Sequence, residues 1–181
     1  MIESKFKGKL LVAKPHTMRD PYFQKSVVYI YEQQQEVVIG LILNKTTGMF
    51  LADVHKLRGA GNNSGVNAPL HRGGPVSEQS LLLLHTAEWQ STNTIQATHG
   101  NAVTSDELML EKLATNNLPK CWRLMSGMST WTLPQLQNEV YRNKSWLIIE
   151  PNQEIFYNFE GEEQWKASVD LASQRMMENL F

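Results

Sequence analysis

Arg72-Gly73-Gly74 is the stretch of this chain best equipped to hold an anion. Consecutive glycine amides can form a concave nest, and an arginine beside them can grip a phosphate or carboxylate through two parallel hydrogen bonds. The same residues serve equally as a tight turn, because two glycines permit positive φ and Pro75 then fixes the next φ and removes a donor. The leucine-rich run that follows ends at His85, a ring able to act as general base if Asp20 orients it and Arg72 holds the substrate's charge. Asp20, Asn44, Arg72 and His85 all fall at predicted strand ends or adjoining turns, where polar groups on a rigid scaffold often share a cleft. The candidate ligand-binding set is therefore Asp20, Asn44, Arg72, Gly73, Gly74 and His85, with His85 and Asp20 as the speculative catalytic pair.

Other chemistries have less to stand on. The sequence contains no G-x-G-x-x-G, no G-x-x-x-x-G-K-[ST] and no G-x-S-x-G, so dinucleotide, P-loop and hydrolase-elbow signatures are missing. Gly127-Met128-Ser129-Thr130 lacks the second glycine of a nucleophile turn. The five histidines form no H-x-x-x-H pair. A site assembled in space from His16, Asp20 and His85 is conceivable, but scattered histidines are more often structural. Neither a metal nor a cofactor is expected. Cys121, the one cysteine, reads as a buried inert thiol in a strand, and Met176-Met177 with Met125 and Met128 read as core filling.

The elements that must position these groups follow from periodicity and turn signals. Gly8–Lys14 reads as a buried strand ended by Pro15, with His16–Phe23 a loop. Ser26–Tyr31 and Val37–Leu43 are β-branched strands close enough to form an antiparallel hairpin, Gly40 marking a bulge or a close backbone approach. Leu51–Leu57 has a short helical pattern. Arg58–Asn67 is a Gly/Asn-rich surface loop or, less simply, a lid. Val76–Gln79 reads as a polar link, and Ser80–Leu84 as a strand buried on both faces.

Beyond it, Thr94–Thr98 alternates as a strand. Thr104-Ser105-Asp106-Glu107 reads as a capping box opening a helix over Ser105–Ala114. Lys120–Ser126 is a strand, and Thr132-Leu133-Pro134-Gln135 a second capping box. Trp146–Glu150 reads as a strand and Glu154–Phe159 as a short edge strand. Glu162–Leu180 is the longest helix, with an apolar stripe of Trp165, Val169, Ala172, Met176 and Leu180. Strands in groups with helices between them point to an α+β, mixed-sheet domain.

Composition narrows the function classes. The 181 residues suit one domain, and 41% hydrophobic with 19% charged residues is an ordinary globular balance. A formal net charge of -1 argues against a strong electrostatic footprint for nucleic acid or an anionic membrane. Charge is uneven: Lys5, Lys7, Lys9, Lys14, Arg19 and Lys25 make the beginning basic, and the end is acidic. That asymmetry reads most simply as two solvated faces. Leu10–Ala13 is too short for the apolar region of a signal peptide, and no segment approaches a membrane span. A lone cysteine suits the reducing cytosol, so a cytoplasmic location is expected.

Four motifs, in order, resemble the AlgH/YqgE family of bacterial proteins. They are Ala13-Lys14-Pro15-His16-Thr17-Met18-Arg19-Asp20-Pro21-Tyr22-Phe23 running into Ser26-Val27-Val28; Gly40-Leu41-Ile42-Leu43-Asn44; Gly73-Gly74-Pro75-Val76 followed by Leu83-Leu84-His85; and Trp131 with Gln135-Leu136 and Glu139. Family members typically carry Asn-Arg-Pro where this chain has Asn44-Lys45-Thr46, and Gly-Trp-x-x-Gly-Gln-Leu where it has Thr130-Trp131-Thr132-Leu133-Pro134-Gln135-Leu136. The resemblance implies one AlgH-like domain over residues 1–181, with a bifurcated mixed sheet, a small barrel-like core and helices packed outside. It also implies a regulator of transcription by indirect means, with no enzymatic activity established for the family. The expectation is a cytoplasmic binding or regulatory module whose partner is a small molecule or another protein, not nucleic acid or membrane. The alternative is a hydrolase or transferase built on His85, Asp20 and Arg72.

Overall fold

The computed structural model describes residues 6–59 and 66–180. Lys5, and residues 60–65 of the Gly/Asn-rich stretch, lie outside them.

Three antiparallel strands start the sheet: β1 (Leu10–Ala13), β2 (Val27–Gln34) and β3 (Val37–Ile42). β2 and β3 are the expected hairpin. A Cβ on Gly40 would come within 2.7 Å of Val28 and 2.9 Å of Ile30, so the glycine marks a close approach, and the register slips at Tyr31 opposite it. β4 (Thr46–Phe50) runs directly into α1 (Leu51–Leu57). β5 (Pro69–Arg72) pairs with β4. β6 (Val76–Thr86), β7 (Thr94–Gln96) and β8 (Asn101–Thr104) form the far side of the sheet. After α2 (Leu108–Ala114) comes β9 (Trp122–Thr132). α3 (Leu133–Gln137) continues as a π-helical turn over Asn138–Arg142, and β10 (Trp146–Ile149) adds to the free edge of β1. α4 (Glu154–Tyr157) and α5 (Gly161–Glu178) finish the chain.

β9 is the spine, and the sheet forks there. Its second half pairs with β3 and its first half pairs, in parallel, with β5, both on one edge; β6 occupies the other edge. To pass from β5 to β6 the chain must cross over β9. Gly73 and Gly74 make that crossing in contact with its backbone: a Cβ on Gly73 would lie 2.3 Å from the Gly127 carbonyl oxygen, and one on Gly74 would lie 2.1 Å from the Met128 carbonyl carbon. The result is an α+β fold with a mixed, bifurcated sheet curled into a half-barrel and helices packed around it.

Packing follows from alternation along the central strands. In β6, Leu82 and Leu84 point into the inner core beside Leu41, Leu43 and Met125, while Leu83 points outward under α1 and α2. Both faces are covered over Leu82–Leu84, whereas Ser80, expected in the same buried run, is exposed and Leu81 is half-buried; each buried leucine contributes roughly 2 kcal/mol. The outer face of β1 to β3 is closed by Leu136, Val140 and the 14–25 loop.

Several expectations are corrected. Val76–Gln79 belongs to β6 rather than to a link; its residues are exposed because the register against β9 jumps between Val76 and Leu81. β9 extends through Gly127–Thr130, so no nucleophile turn exists, and Cys121 precedes the strand and is half-buried. Thr104 ends β8 instead of capping α2; the cap role falls to Asp106, whose Oδ1 accepts from the Met109 amide at 2.9 Å. The expected edge strand over Glu154–Phe159 is replaced by α4 over Glu154–Tyr157, because the Asn152 side chain captures the Ile155 amide at 3.0 Å and Ile155 and Phe156 are both buried. In α5 the buried face is Gln164, Ser168, Leu171 and Ala172, about one residue round from the expected stripe. Met176 and Met177 are exposed, so they fill no core; Met125 is buried and Met128 packs against the inner core. No helix among the described residues is long and apolar enough to cross a membrane.

Candidate functional site

The loop between β1 and β2 carries three cations, Lys14, Arg19 and Lys25. Its path is fixed by turns and anchors. The carbonyl of Lys14 accepts from the amides of Thr17 and Met18, and the Asp20 carboxylate accepts from the Tyr22 amide at 2.9 Å. The Phe23 ring is inserted between Trp131 (6.0 Å) and Trp146 (5.5 Å), pinning the loop to the outer face of the sheet. His16 and Lys25 sit at φ 64° and 56°, in the left-handed region that non-glycine residues rarely occupy.

Asn44 holds the end of this loop. It is 6% exposed; its Oδ1 accepts from the Val27 amide at 2.9 Å, and its Nδ2 donates to the carbonyls of Lys25 (2.8 Å) and Gly161 (3.0 Å). One side chain thus joins β3, the loop and the start of α5. Trp165 of α5 then donates its indole N–H to the Ala13 carbonyl at 2.8 Å. Between loop and helix lies a cavity of about 340 Å³, lined by Lys14, Pro15, His16, Met18, Arg19, Gln24, Lys25 and Trp165. Lys25 meets Glu162 at 3.0 Å; Lys14 and Arg19 meet no carboxylate among the described residues. The floor is apolar and the rim positive, an arrangement that attracts an anion and packs whatever flat or aliphatic body carries it.

Of the residues singled out in the sequence, Asn44 anchors the 14–25 loop and Asp20 and Arg72 contact or belong to it, but none of the three lines the cavity. Arg72 lies over the Tyr22 ring at 5.9 Å. Lys45 joins them, donating to the Gln24 carbonyl at 2.6 Å. Its ammonium is held below the usual lysine range, first by burial and then by the Arg72 charge, with Asp20 opposing.

Gly73, Gly74 and His85 are placed elsewhere. The Gly73 amide is spent on the Ser126 carbonyl at 2.8 Å, and Gly73 and Gly74 are both buried, so the pair offers no nest. His85 is fully buried: Nε2 bonds Thr104 Oγ1 at 2.7 Å, Nδ1 meets the Thr86 carbonyl at 2.9 Å, and Trp89 closes its face. On β9 it is level with Trp122, whereas Arg72 is level with Ser126. Four residues of strand separate those levels by about 13 Å, beyond hydrogen-bond reach.

What the sequence reading passed over is Lys14, Arg19, Lys25, Lys45 and Trp165 as one surface. The signal was present in the basic beginning of the chain, but only the fold of the loop, and the return of α5 some 140 residues later, brings these groups together.

Two other histidines, His99 and His71, lie away from this cavity. His99 bridges Thr98 and Glu150, each at 2.8 Å. Among the described residues no three or more of His, Cys, Asp and Glu come together as metal ligands would. His71 is 6% exposed, and its pKa is lowered from 6.5 to about 4, first by burial and second by the Arg123 charge. The folded state therefore disfavours protonation that the unfolded chain accepts. Stability is full above about pH 6.5 and declines as pH falls toward 4, by on the order of 3 kcal/mol from this group. Urea unfolding of wild type and His71→Leu at several pH values should show a shallower acid slope in the variant.

A family model described as AlgH-like matches residues 10–177. A UPF0301 protein of Vibrio parahaemolyticus is 36% identical over 166 residues, covering 88% of either chain. A UPF0301 protein of Francisella philomiragia is 31% identical, covering 97% of this chain and 94% of the relative. Among solved structures, the AlgH protein from Pseudomonas aeruginosa superposes with a TM-score of 0.77 at 22% identity, covering 94% of this chain and 92% of that one. A crystal structure of a protein from Corynebacterium diphtheriae gives a TM-score of 0.69, also at 22% identity, covering 92% and 86%. At that identity the two structures speak to the fold alone.

Proposed function

Since the chain belongs to the AlgH-like family, we propose that it is a ligand-binding module whose site is the basic cavity between the 14–25 loop and α5, and that it takes a small molecule bearing a phosphate or carboxylate group. One observation carries this reading: Lys14, Arg19 and Lys25 converge on a single cavity with only Glu162 to answer them. A surface without a ligand gains nothing from crowding cations, since each pair of like charges a few ångströms apart costs energy even in water. The left-handed backbone at His16 and Lys25 adds support, because such conformations cluster at binding loops.

The module works in the reducing cytosol, which suits its lone free thiol. Any regulatory output runs through the bound ligand or a protein partner. Direct contact with DNA is disfavoured by the net charge of -1. The enzyme reading built on His85 with Asp20 and Arg72 finds no support in the placement of the ring.

The test is a thermal-shift series with inorganic phosphate, nucleotides and small dicarboxylates. A ligand at about a hundredfold its dissociation constant stabilises by roughly 2.7 kcal/mol, a rise of about 5–10 °C for a chain of this length. The Lys14→Ala/Arg19→Ala double variant should fold normally and lose that rise. A panel that leaves the wild-type midpoint unmoved, or that moves both proteins equally, removes the cavity from consideration.

A further inference from the structure

We infer that a second cavity, walled by His71, Cys121, Trp122, Arg123 and Tyr157 where β5, the start of β9 and α4 meet, is a site for a monoanionic carboxylate carried on a flat apolar body. The cavity measures about 300 Å³, the size of a single-ring molecule.

Two buried groups there lack what their chemistry calls for. Arg123 is 5% exposed, yet its guanidinium hydrogen-bonds only neutral acceptors, the carbonyls of Leu43 and Phe159 and the Gln164 side chain; the Glu160 carboxylate acts on its charge from a distance without forming an ion pair among the described residues. A buried cation ordinarily has an anionic partner. His71, equally buried, has no hydrogen-bond partner for Nδ1. The Arg123 charge reaches this ring and contributes to keeping it neutral, so the two groups share one electrostatic environment. A carboxylate in the cavity would compensate the guanidinium and accept from Nδ1–H in that tautomer.

Charge and shape narrow the class. Lys120 and Arg123 supply two positive charges to the lining and Glu160 one negative, leaving a net of one. That matches a single carboxylate and disfavours a dianionic phosphate ester. Trp122, Tyr157 and Pro69 give apolar surface for a ring to lie against. This site stands apart from the basic cavity and does not depend on it.

Cys121 makes the proposal testable, since it lines the cavity and is the one cysteine in the sequence. Its alkylation by iodoacetamide, a neutral reagent, would be followed by mass spectrometry of the intact chain with benzoate as the probe. At about ten times its dissociation constant benzoate should slow alkylation about tenfold, by occupancy alone. Benzamide, the uncharged isostere, should not protect. Lys120→Ala should raise the half-protecting benzoate concentration a few-fold, while Lys14→Ala/Arg19→Ala, which disables the other cavity, should leave it unchanged. No protection at saturating benzoate, equal protection by benzamide, protection indifferent to Lys120→Ala, or protection lost with Lys14 and Arg19 would each overturn the inference.

Discussion

Replacing Gly74 with alanine is expected to destabilise the protein by about 3–4 kcal/mol and to lower its thermal midpoint by roughly 10 °C. The added Cβ would lie 2.1 Å from the Met128 carbonyl carbon, 2.2 Å from its oxygen and 2.4 Å from the Ser129 nitrogen. All three are backbone atoms of β9, so no side chain can rotate out of the way. The crossing segment and β9 must separate, and the pairing of Val76 with Met128 is the first to be lost. Gly48 supplies the contrast. It sits at φ 87° with nothing within 4 Å of its Cβ position, so Gly48→Ala meets only backbone strain of about 1 kcal/mol. Urea titrations of the two variants separate crowding from conformational strain; equal losses in both would mean that the crossing over β9 is looser than its geometry indicates.

Arg123→Met should cost about 3 kcal/mol, with an unchanged urea m-value. Methionine fills similar space but leaves the Leu43 and Phe159 carbonyls and Gln164 Oε1 without their donor. Each stranded acceptor costs on the order of 1–3 kcal/mol, and part of that sum is returned because a buried charge has been removed. Gln164 is fully buried on α5 and also donates to the carbonyls of Ile155 and Phe156, so the loss spreads to the docking of α4 and α5. Arg123→Lys should fall between wild type and Met, because an ammonium keeps the charge without the planar fork that reaches three acceptors. A Met variant as stable as wild type would show that these acceptors find other partners.

The same guanidinium explains why the last helix was misread by about one residue. Helical periodicity selects Trp165, Val169, Ala172, Met176 and Leu180 as the buried stripe because they are apolar; Ala172 is buried, Trp165 and Val169 are partly so, and Met176 and Leu180 are exposed. The helix instead turns Gln164 inward, where it accepts from the arginine on β9 and donates to the Ile155 and Phe156 carbonyls of α4, and Ser168, one turn on, is buried with its hydroxyl donating to the Gln164 carbonyl. A long-range polar requirement leaves no trace in local pattern. Where burial alone decides, as in Leu82–Leu84 or the β2–β3 hairpin, pattern and fold agree.

The glycine pair shows a different limit. Its sequence states that the backbone must do something only glycine tolerates, and that is so. Whether the constraint comes from a ligand or from another strand cannot be told without the strand, which lies some fifty residues on. Around the candidate site, Asn44 was legible as a polar residue at a strand end and holds the loop in place, whereas Asp20 and Arg72, read the same way, do not line the cavity. His85 met the same description and proved to be a core residue, because the exposure of a strand end depends on what packs over it. The cations that define the cavity were visible only as a charged beginning to the chain.

The fork in the sheet bears on how the molecule is made. β3, β5 and β6 all depend on β9 for a neighbour, and β9 is the ninth strand to leave the ribosome. The β2–β3 hairpin can form as it emerges, but the two arms of the sheet have no common partner until about residue 132 is clear of the exit tunnel. Until then β3 and β6 each keep one strand edge without its final partner, and the β1 edge waits longer still, for β10.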